Sequence, residues 1–307
     1  MVKKDSIPTI GFLQNRGSIK RILFATILLL LVTQIHATES GSLALRGHRQ
    51  YNSGNIQQSY LLMERSLRAA YKEGDLKAQA RSLINLASLE IFARRYDVAD
   101  SLLNAVKNPQ ITPKVRNLMA LTRITLENER NRLAQAWEIF ETARPNFSSD
   151  DLEENFRITA IHMEAAVAAA ALKNGETDDL LQQVRKQNDQ ISKGVTGRLM
   201  YTNARVALAQ GDTRSALQFL QQALAQAQQR GRNWYIGKIL YLTGVAQQAE
   251  NNSAAAQQAF QRSLRVYGEM GLILPYLQAA DRYLQLNPDD AEISRKVATV
   301  RKQFGVK

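Results

Sequence analysis

Histidines and paired carboxylates are the side chains of this sequence that could carry acid–base or metal chemistry. The histidines His36, His48 and His162 stand apart, and none belongs to a His-x-x-x-His or His-x-x-Glu pattern with metal-ligand spacing. The pairs Asp150-Asp151 and Glu153-Glu154 lie where a helix is expected to begin, and acidic residues there cap a helix and match its dipole. These residues therefore predict neither a metal site nor a catalytic acid–base pair.

Other reactive motifs are absent from the sequence. It contains no cysteine, which excludes disulfides, zinc–thiolate sites, a cysteine nucleophile and the lipid-bearing cysteine of a bacterial lipoprotein. The segment Gly194–Gly197 lacks the Lys-Ser/Thr pair that a phosphate-binding loop needs, and there is no Gly-x-Ser-x-Gly motif. We expect a protein that is not an enzyme and that has no catalytic, metal-binding or cofactor-binding residues.

The composition favours a helical fold. Of the 307 residues, 45% are hydrophobic, and 6 prolines and 16 glycines interrupt a sequence rich in the helix formers Ala, Leu and Gln. Segments with the alternating Val, Ile and Thr pattern of a β-sheet are missing. The net charge of +12 is spread along the chain without a dense Lys/Arg run interleaved with aromatic residues after residue 40, so nucleic acid is not an expected partner.

The N-terminal segment has the pattern of an export signal. Residues 1–21 are basic, residues 22–32 are continuously apolar, and residues 33–40 are small and polar, with Ile35 and Ala37 at the −3 and −1 positions of a cleavage site. The apolar run is shorter than the ~20 residues that span a bilayer, although the long basic segment also fits an uncleaved anchor. We predict a signal peptide or signal anchor over residues 1–37. The rest of the chain is then expected to be exported to a Gram-negative periplasm, and to touch the membrane only through this segment if it is uncleaved.

Residues 198–224 contain two helical patterns joined by a turn. The first carries a stripe that includes Leu199 and Ala207, Gly211-Asp212 interrupts the pattern, and the second places Ala216 and Leu220 on one face. Neither helix can bury its stripe alone, so the two are expected to pack against each other. The same layout returns in residues 240–264, and helix pairs recurring at a nearly fixed period are typical of a solenoid.

The rest of the chain divides into further helix pairs. Turn signals such as Gly54-Asn55 and Asn174-Gly175 lie within pairs, and Pro109 and Pro113 mark a connection between pairs. The third pair is less regular than the others. Besides the helices of residues 198–224 and 240–264, the predicted helices are Leu43–Asn52, Ile56–Tyr71, Leu83–Ala93, Tyr96–Val106, Val115–Asn128, Leu133–Ala143, Leu152–Lys173, Asp178–Gln190, Leu274–Leu286 and Ala291–Phe304. The solenoid is expected to occupy residues 38–304, followed by a tail of residues 305–307.

Together these features resemble tetratricopeptide (TPR) repeats. The match is clearest at Gly211-Asp212 in the turn and at Ala216, Leu220 and Ala223 in the second helix, whereas Arg94-Arg95 departs from the family's Gly-Asp. The resemblance implies an all-α, right-handed superhelical solenoid of antiparallel helix pairs, with about six to seven elongated repeats and a C-terminal capping helix. It also implies one buried position per second helix, at Ser59, Ala99, Ala136, Leu180, Ala216 and Ala256.

The resemblance further implies a concave groove lined by the first helices, which binds an extended peptide or a helix of a partner. The family's groove positions correspond to Tyr51, Arg81, Asn85, Arg198, Tyr201, Arg205, Lys238 and Tyr241. Arginine and lysine bind carboxylates, and tyrosine supplies a large amphipathic contact area. We therefore expect a protein or peptide partner with an acidic segment or a C-terminal carboxylate. The competing interpretation is that these are ordinary solvated side chains.

Three functions are compatible with such a sequence. The first is a non-catalytic protein–protein interaction scaffold in the cell envelope. The second is a sensor or regulatory module that binds a short peptide, although residues 1–40 cannot form the DNA-binding helix-turn-helix common in such regulators. The third is a glycan-binding or glycan-cleaving envelope protein, which an exposed aromatic row along the groove would favour, with Tyr51, Tyr201 and Tyr241 as the candidates.

Overall fold

A computed structural model describes residues 38–106, 112–147, 151–190, 196–229 and 233–306 of the chain. These residues form fourteen α-helices and one short 3-10 helix, without a β-strand among them. The predicted all-α fold is therefore confirmed. The predicted signal segment, residues 1–37, lies outside the described residues.

The helices follow one another as seven consecutive pairs, each joined by a short turn, which makes the two helices of a pair antiparallel. Neighbouring helices along the chain pack against each other throughout most of the array, as expected of a helical solenoid. The pairs are α1 Glu39–Asn52 with α2 Ile56–Glu73, α3 Leu76–Phe92 with α4 Tyr96–Asn104, α5 Pro113–Glu129 with α6 Leu133–Ala143, α7 Leu152–Ala171 with α8 Thr177–Gln190, α9 Thr196–Ala209 with α10 Thr213–Gln229, α11 Asn233–Ala249 with α12 Ser253–Glu269, and α13 Ile273–Leu286 with α14 Ala291–Phe304.

Several helices begin earlier than the sequence pattern predicts, among them α1, which begins at Glu39 instead of Leu43. In α3 and α5 the reason is an N-cap that lies outside the apolar stripe. The Asp75 carboxylate accepts hydrogen bonds from the backbone N–H groups of Lys77 and Ala78, both at 2.9 Å, so α3 begins at Leu76 instead of Leu83. Thr112 caps α5, and Pro113 is the first helical residue instead of part of the connection. Proline fits there because the first helical N–H has no partner within the helix.

The predicted buried position of each second helix is confirmed at all six sites. Ser59, Ala99, Ala136, Leu180, Ala216 and Ala256 are each 0% exposed. Leu180 is larger than alanine but is buried at the same position of its helix. This departure from the alanine pattern therefore does not change which face of α8 is buried. Side-chain contacts between successive first helices span 34 residues for Ser88 with Thr122 and 37 residues for Asn117 with Glu154, equal to or slightly longer than the roughly 34-residue period of TPR repeats.

Glycine permits the closest approaches between paired helices. A Cβ atom added to Gly47 would lie 2.9 Å from Cε of Met63, and one added to Gly244 would lie 2.6 Å from the ring of Phe260. Both glycines lie in first helices and face a large side chain of the second helix. The small residues of the first-helix stripes therefore set the interhelical distance, as the sequence predicts.

The six turns within the first six pairs share one backbone feature, a residue with positive φ. Glycine occupies it at Gly54 and Gly211, but Arg94, Asn131, Lys173 and Asn251 occupy it in the other four turns. In the α7–α8 turn the left-handed residue is thus Lys173, and not part of the predicted Asn174-Gly175 signal. Arg94-Arg95, a departure from the family pattern in sequence, occupies the same turn position as Gly211-Asp212.

Overpacking at Ala216 tests the register of the helix pairs. Ala216 is fully buried in α10, so Ala216→Leu should lower the free energy of unfolding by about 1–3 kcal/mol, because a well-packed core cannot accept extra methylenes without strain. Urea denaturation of the variant and of the wild type measures the difference. An unchanged midpoint would contradict the assigned packing.

The array curves so that its two ends meet. The first helices α3, α5, α7 and α9 contact one another in sequence and form an inner layer. A single hydrophobic cluster then joins Met63 and Phe92 near the beginning of the array to Phe260 and Tyr267 near its end. Gln57 Nε2 lies only 2.8 Å from the position of a Cβ atom added to Gly271. The first two pairs therefore close against the sixth and seventh.

None of the described helices combines the length and the apolar content needed to cross a bilayer.

Candidate functional site

The curvature brings charged and tyrosine side chains of several first helices, together with one turn residue, into an inner cluster. Its members come from the α3–α4 turn, α5, α7, α9 and α11. We define the inner cluster as Arg94, Glu129, Glu164, Arg198, Tyr201, Arg205, Lys238 and Tyr241.

An ion pair in this cluster connects helices that are far apart in the sequence. Lys238 Nζ in α11 lies 3.0 Å from Glu129 Oε1 at the end of α5, across 109 residues. The Lys238 ammonium also lies 5.9 Å from the ring centroid of Phe92, at the end of α3. Arg94 Nη2 lies 3.9 Å from Glu129 Oε2. Side chains from three helix pairs, the second, third and sixth, therefore meet at the Glu129 carboxylate.

The environment of Glu129 keeps its carboxyl group ionised. Burial by itself would raise the pKa of Glu129, but the charges of Lys238, Arg205 and Arg94 outweigh burial and lower the pKa to about 2. The pKa of Lys238 is correspondingly raised: burial alone would lower it, but the Glu129 carboxylate overcomes that effect. Both partners carry their full charge at neutral pH.

A second ion pair joins α7 to α9. Arg205 Nη1 donates to Glu164 Oε2 at 2.8 Å, and Asn128 Nδ2 donates to the same oxygen at 3.0 Å. The side chains of Arg205 and Glu164 are only 14% and 9% exposed. Burial favours the neutral acid, but Arg205 and Arg198 overcome it and hold the pKa of Glu164 below its usual value. This pair is therefore ionised as well.

Tyrosines surround these charges. The rings of Tyr201 and Tyr235 are 5.2 Å apart, and the Arg94 guanidinium lies 5.7 Å from the ring centroid of Tyr241. Arg94 Nη1 also donates to the Tyr96 hydroxyl at 3.0 Å. Burial raises the pKa of Tyr201 above its ordinary value, so this phenol is neutral at physiological pH. The inner cluster is thus a set of cations, two carboxylates and neutral aromatic rings.

The structure brings most of the sequence-predicted groove residues together. Arg198, Tyr201, Arg205, Lys238 and Tyr241 belong to the inner cluster by the contacts and electrostatic interactions above. Tyr51 packs edge-on against Phe92, with ring centroids 6.3 Å apart. Phe92 in turn lies next to the Lys238 ammonium, so Tyr51 adjoins the inner cluster. Arg81 and Asn85 follow the same stripe of α3 away from Phe92, and Arg81 is exposed while Asn85 is half-buried. These two do not take part in the ion pairs.

Sequence reasoning missed Arg94, Glu129 and Glu164. In the sequence Arg94 is only a departure from the turn motif, and Lys173 shows that the same backbone conformation does not by itself indicate a role for the side chain. Neither Glu129 nor Glu164 is among the predicted groove residues. Their partners, Lys238 and Arg205, lie 109 and 41 residues further along the chain, too far for any helical spacing rule to connect them.

Arg94→Gly and Lys173→Gly separate the backbone cost of the turn from the role of the Arg94 side chain. Both residues have positive φ, +61° and +55°, and glycine relieves a backbone cost of roughly 1 kcal/mol. Lys173 is exposed, so Lys173→Gly should leave the stability unchanged or raise it by up to about 1 kcal/mol. Arg94→Gly should lower it by about 2 kcal/mol, because hydrogen bonds of a charged group are lost. Equal denaturation midpoints for the two variants would contradict this role.

The chemistry available to the inner cluster is anion binding. It has four cationic groups, Arg94, Arg198, Arg205 and Lys238, against the carboxylates of Glu129 and Glu164. Guanidinium groups bind carboxylates with two parallel hydrogen bonds. Among the described residues, no three metal-ligating His, Cys, Asp or Glu side chains gather at one place.

Comparison with known proteins does not identify a family for this chain. No protein-family model matches the chain, and no curated protein matches it. Among solved structures, the chain is similar to BtubC (BKLC) from P. vanneervenii, with 17% sequence identity and a TM-score of 0.45 over 70% of this chain and 92% of BtubC. A similarity at this level carries no information about function.

Proposed function

We propose that this protein is a non-catalytic, TPR-type interaction scaffold of the cell envelope, exported by its N-terminal segment. It binds an extended peptide or a helix of a protein partner on its inner face, without a cofactor. The observation that carries the proposal is the convergence of Arg198, Tyr201, Arg205 and Lys238 from two successive first helices. Arginine and tyrosine are the residue types that dominate protein-binding hot spots, and the excess of positive charge favours an acidic segment.

Site-specific photo-crosslinking tests this proposal. A photoreactive phenylalanine analogue replaces Tyr241 in the inner cluster, or as a control Tyr71, which is 58% exposed in α2. Cells producing the full-length chain are irradiated, and the cross-linked polypeptides are identified by mass spectrometry. We expect an envelope polypeptide that is captured from position 241 and not from position 71. The combined Arg198→Glu, Arg205→Glu and Lys238→Glu variant should no longer capture it.

Two results would contradict the proposal. One is the absence of any polypeptide specific to position 241. The other is hydrolysis of peptidoglycan by the purified protein, which would show a catalytic activity. Fractionation of the same cells locates the protein, and recovery in the periplasmic or inner-membrane fraction is expected.

A further inference from the structure

The cations expected to bind a partner are already engaged by carboxylates of the chain itself. Lys238 pairs with Glu129 at 3.0 Å, and Arg205 pairs with Glu164 at 2.8 Å. We propose that Glu129 is an internal competitor: it occupies a carboxylate-binding site formed by Lys238 and Arg94, and an acidic partner segment must displace it. This inference rests on the proposed function, because it describes how the same inner face is regulated.

The geometry at Glu129 indicates an incompletely filled site. Lys238 is within hydrogen-bond distance of Oε1, but Arg94 Nη2 stands 3.9 Å from Oε2, beyond the range of a hydrogen bond. The Arg94 guanidinium therefore faces the carboxylate without forming the two-bond contact that it forms best. A carboxylate on a separate peptide is free of the backbone of α5 and can approach both cations.

The charge balance of the inner cluster supports an acidic occupant. Four cationic groups stand against two carboxylates, and Lys238 and Arg94 are only 20% and 22% exposed. The two cations share the single negative charge of Glu129, so the cluster as a whole keeps an excess of positive charge. A segment with two or more carboxylates would restore neutrality if the internal pairs stayed in place. The same segment would also contact Lys238 and Arg94 if one of its carboxylates replaced that of Glu129.

The position of Glu129 couples its displacement to the closure of the array. Its carboxylate links α5 to Lys238 in α11. Arg94, in the α3–α4 turn, lies near the ring of Tyr241, which is also in α11. These contacts, together with Gln57 near Gly271, hold the early pairs against the late ones. Releasing Glu129 removes one of the links, so the inner face becomes more accessible when the internal carboxylate leaves its site.

A competitor within the same chain lowers the apparent affinity for a partner by the fraction of time for which the site is free. Glu129→Gln keeps the shape of the side chain and removes its charge. We therefore expect this variant to bind an acidic probe at least about tenfold more tightly than the wild type, as when the site is free about a tenth of the time. Glu164→Gln, which relieves the Arg205 site, should change the affinity in the same direction.

The experiment measures fluorescence anisotropy of labelled octaglutamate and octaglutamine peptides with the purified full-length chain. Glu292→Gln is the matched control, because Glu292 pairs with Lys296 on the exposed face of α14. Tighter binding of octaglutamate by Glu129→Gln than by Glu292→Gln, with no binding of octaglutamine, supports the proposal. The additional change Lys238→Met should abolish the gain.

The proposal is overturned if Glu129→Gln and Glu164→Gln both bind octaglutamate no more tightly than Glu292→Gln. The use of two variants at separate ion pairs keeps the test decisive if one of them folds poorly. The outcome is also separable from that of the crosslinking experiment. If an envelope partner is captured at position 241 but the glutamine variants bind octaglutamate no more tightly, internal competition by Glu129 is refuted and the scaffold function is supported. If the glutamine variants bind octaglutamate more tightly but no partner is captured, the carboxylate-binding site is supported and the scaffold function is refuted.

Discussion

Replacing Arg205 by methionine is expected to lower the free energy of unfolding by about 3 kcal/mol. Methionine keeps an apolar stem, but it leaves the Glu164 carboxylate, which is 9% exposed, without the cation that donates a hydrogen bond to it. Removing one partner of a buried ion pair is costly because the remaining charge stays desolvated. Chemical denaturation followed by circular dichroism measures the loss.

A matched control for Arg205→Met is Lys296→Met, which breaks an ion pair at the surface. Lys296 and Glu292 are 57% and 70% exposed, and exposed pairs contribute only about 0–1 kcal/mol. A similar loss for both variants would contradict the assignment of Arg205 to a buried pair.

Phe260→Ala should be equally destabilising, by about 3–5 kcal/mol, through the loss of buried surface and the cavity that remains. Phe260 is fully buried against Gly244 and Tyr241, in the hydrophobic cluster shared by the two ends of the array. The lower stability should be accompanied by faster amide hydrogen exchange in α2 and α3, because that cluster also contains Met63 and Phe92.

The control for Phe260→Ala is Phe304→Ala at the end of α14. Phe304 is 51% exposed, so its truncation should change the free energy of unfolding by less than about 0.5 kcal/mol. Unchanged exchange in α2 and α3 upon Phe260→Ala would show that the two ends of the array are not coupled through this cluster.

The sequence predicts the helix pairs well because the information is local. Each apolar stripe must be buried against the next helix, and Ala99, Ala136 and Leu180, the buried positions that the resemblance to TPR repeats implies, all lie in the core. The errors at the helix starts have local causes too. Asp75 and Thr112 cap their helices from outside the apolar stripe, so the stripe alone cannot indicate where the helix begins.

The inner cluster is only half visible in the sequence, because its contacts depend on how the pairs curve. The stripe of a helix specifies which face packs within its own pair, and it contains no information on what lies across the superhelix. Lys238 and Arg205 are among the groove residues that the resemblance to TPR repeats implies. Their acceptors Glu129 and Glu164 become apparent only when the small rotations between successive pairs have accumulated into a closed array.

The closure also changes how a groove in this protein would operate. In an open solenoid the inner cations would be solvated and immediately available to a partner. Here Arg94, Lys238 and Arg205 are ordered by internal contacts before any partner binds, which reduces the conformational entropy lost on binding. If the proposed acidic partner binds, the same contacts are exchanged for new ones, and its affinity then depends on the difference between internal and external carboxylates.

A double-mutant cycle between Glu129 and Lys238 tests the closure most directly, because the two residues are 109 positions apart and can interact only if the array curves back. The free energies of unfolding of the wild type, Glu129→Gln, Lys238→Met and the double variant give the interaction energy. The structure predicts a coupling of about 1.5 kcal/mol or more, as for close charge pairs. Effects that add within about 0.5 kcal/mol, as for distant sites, would contradict it.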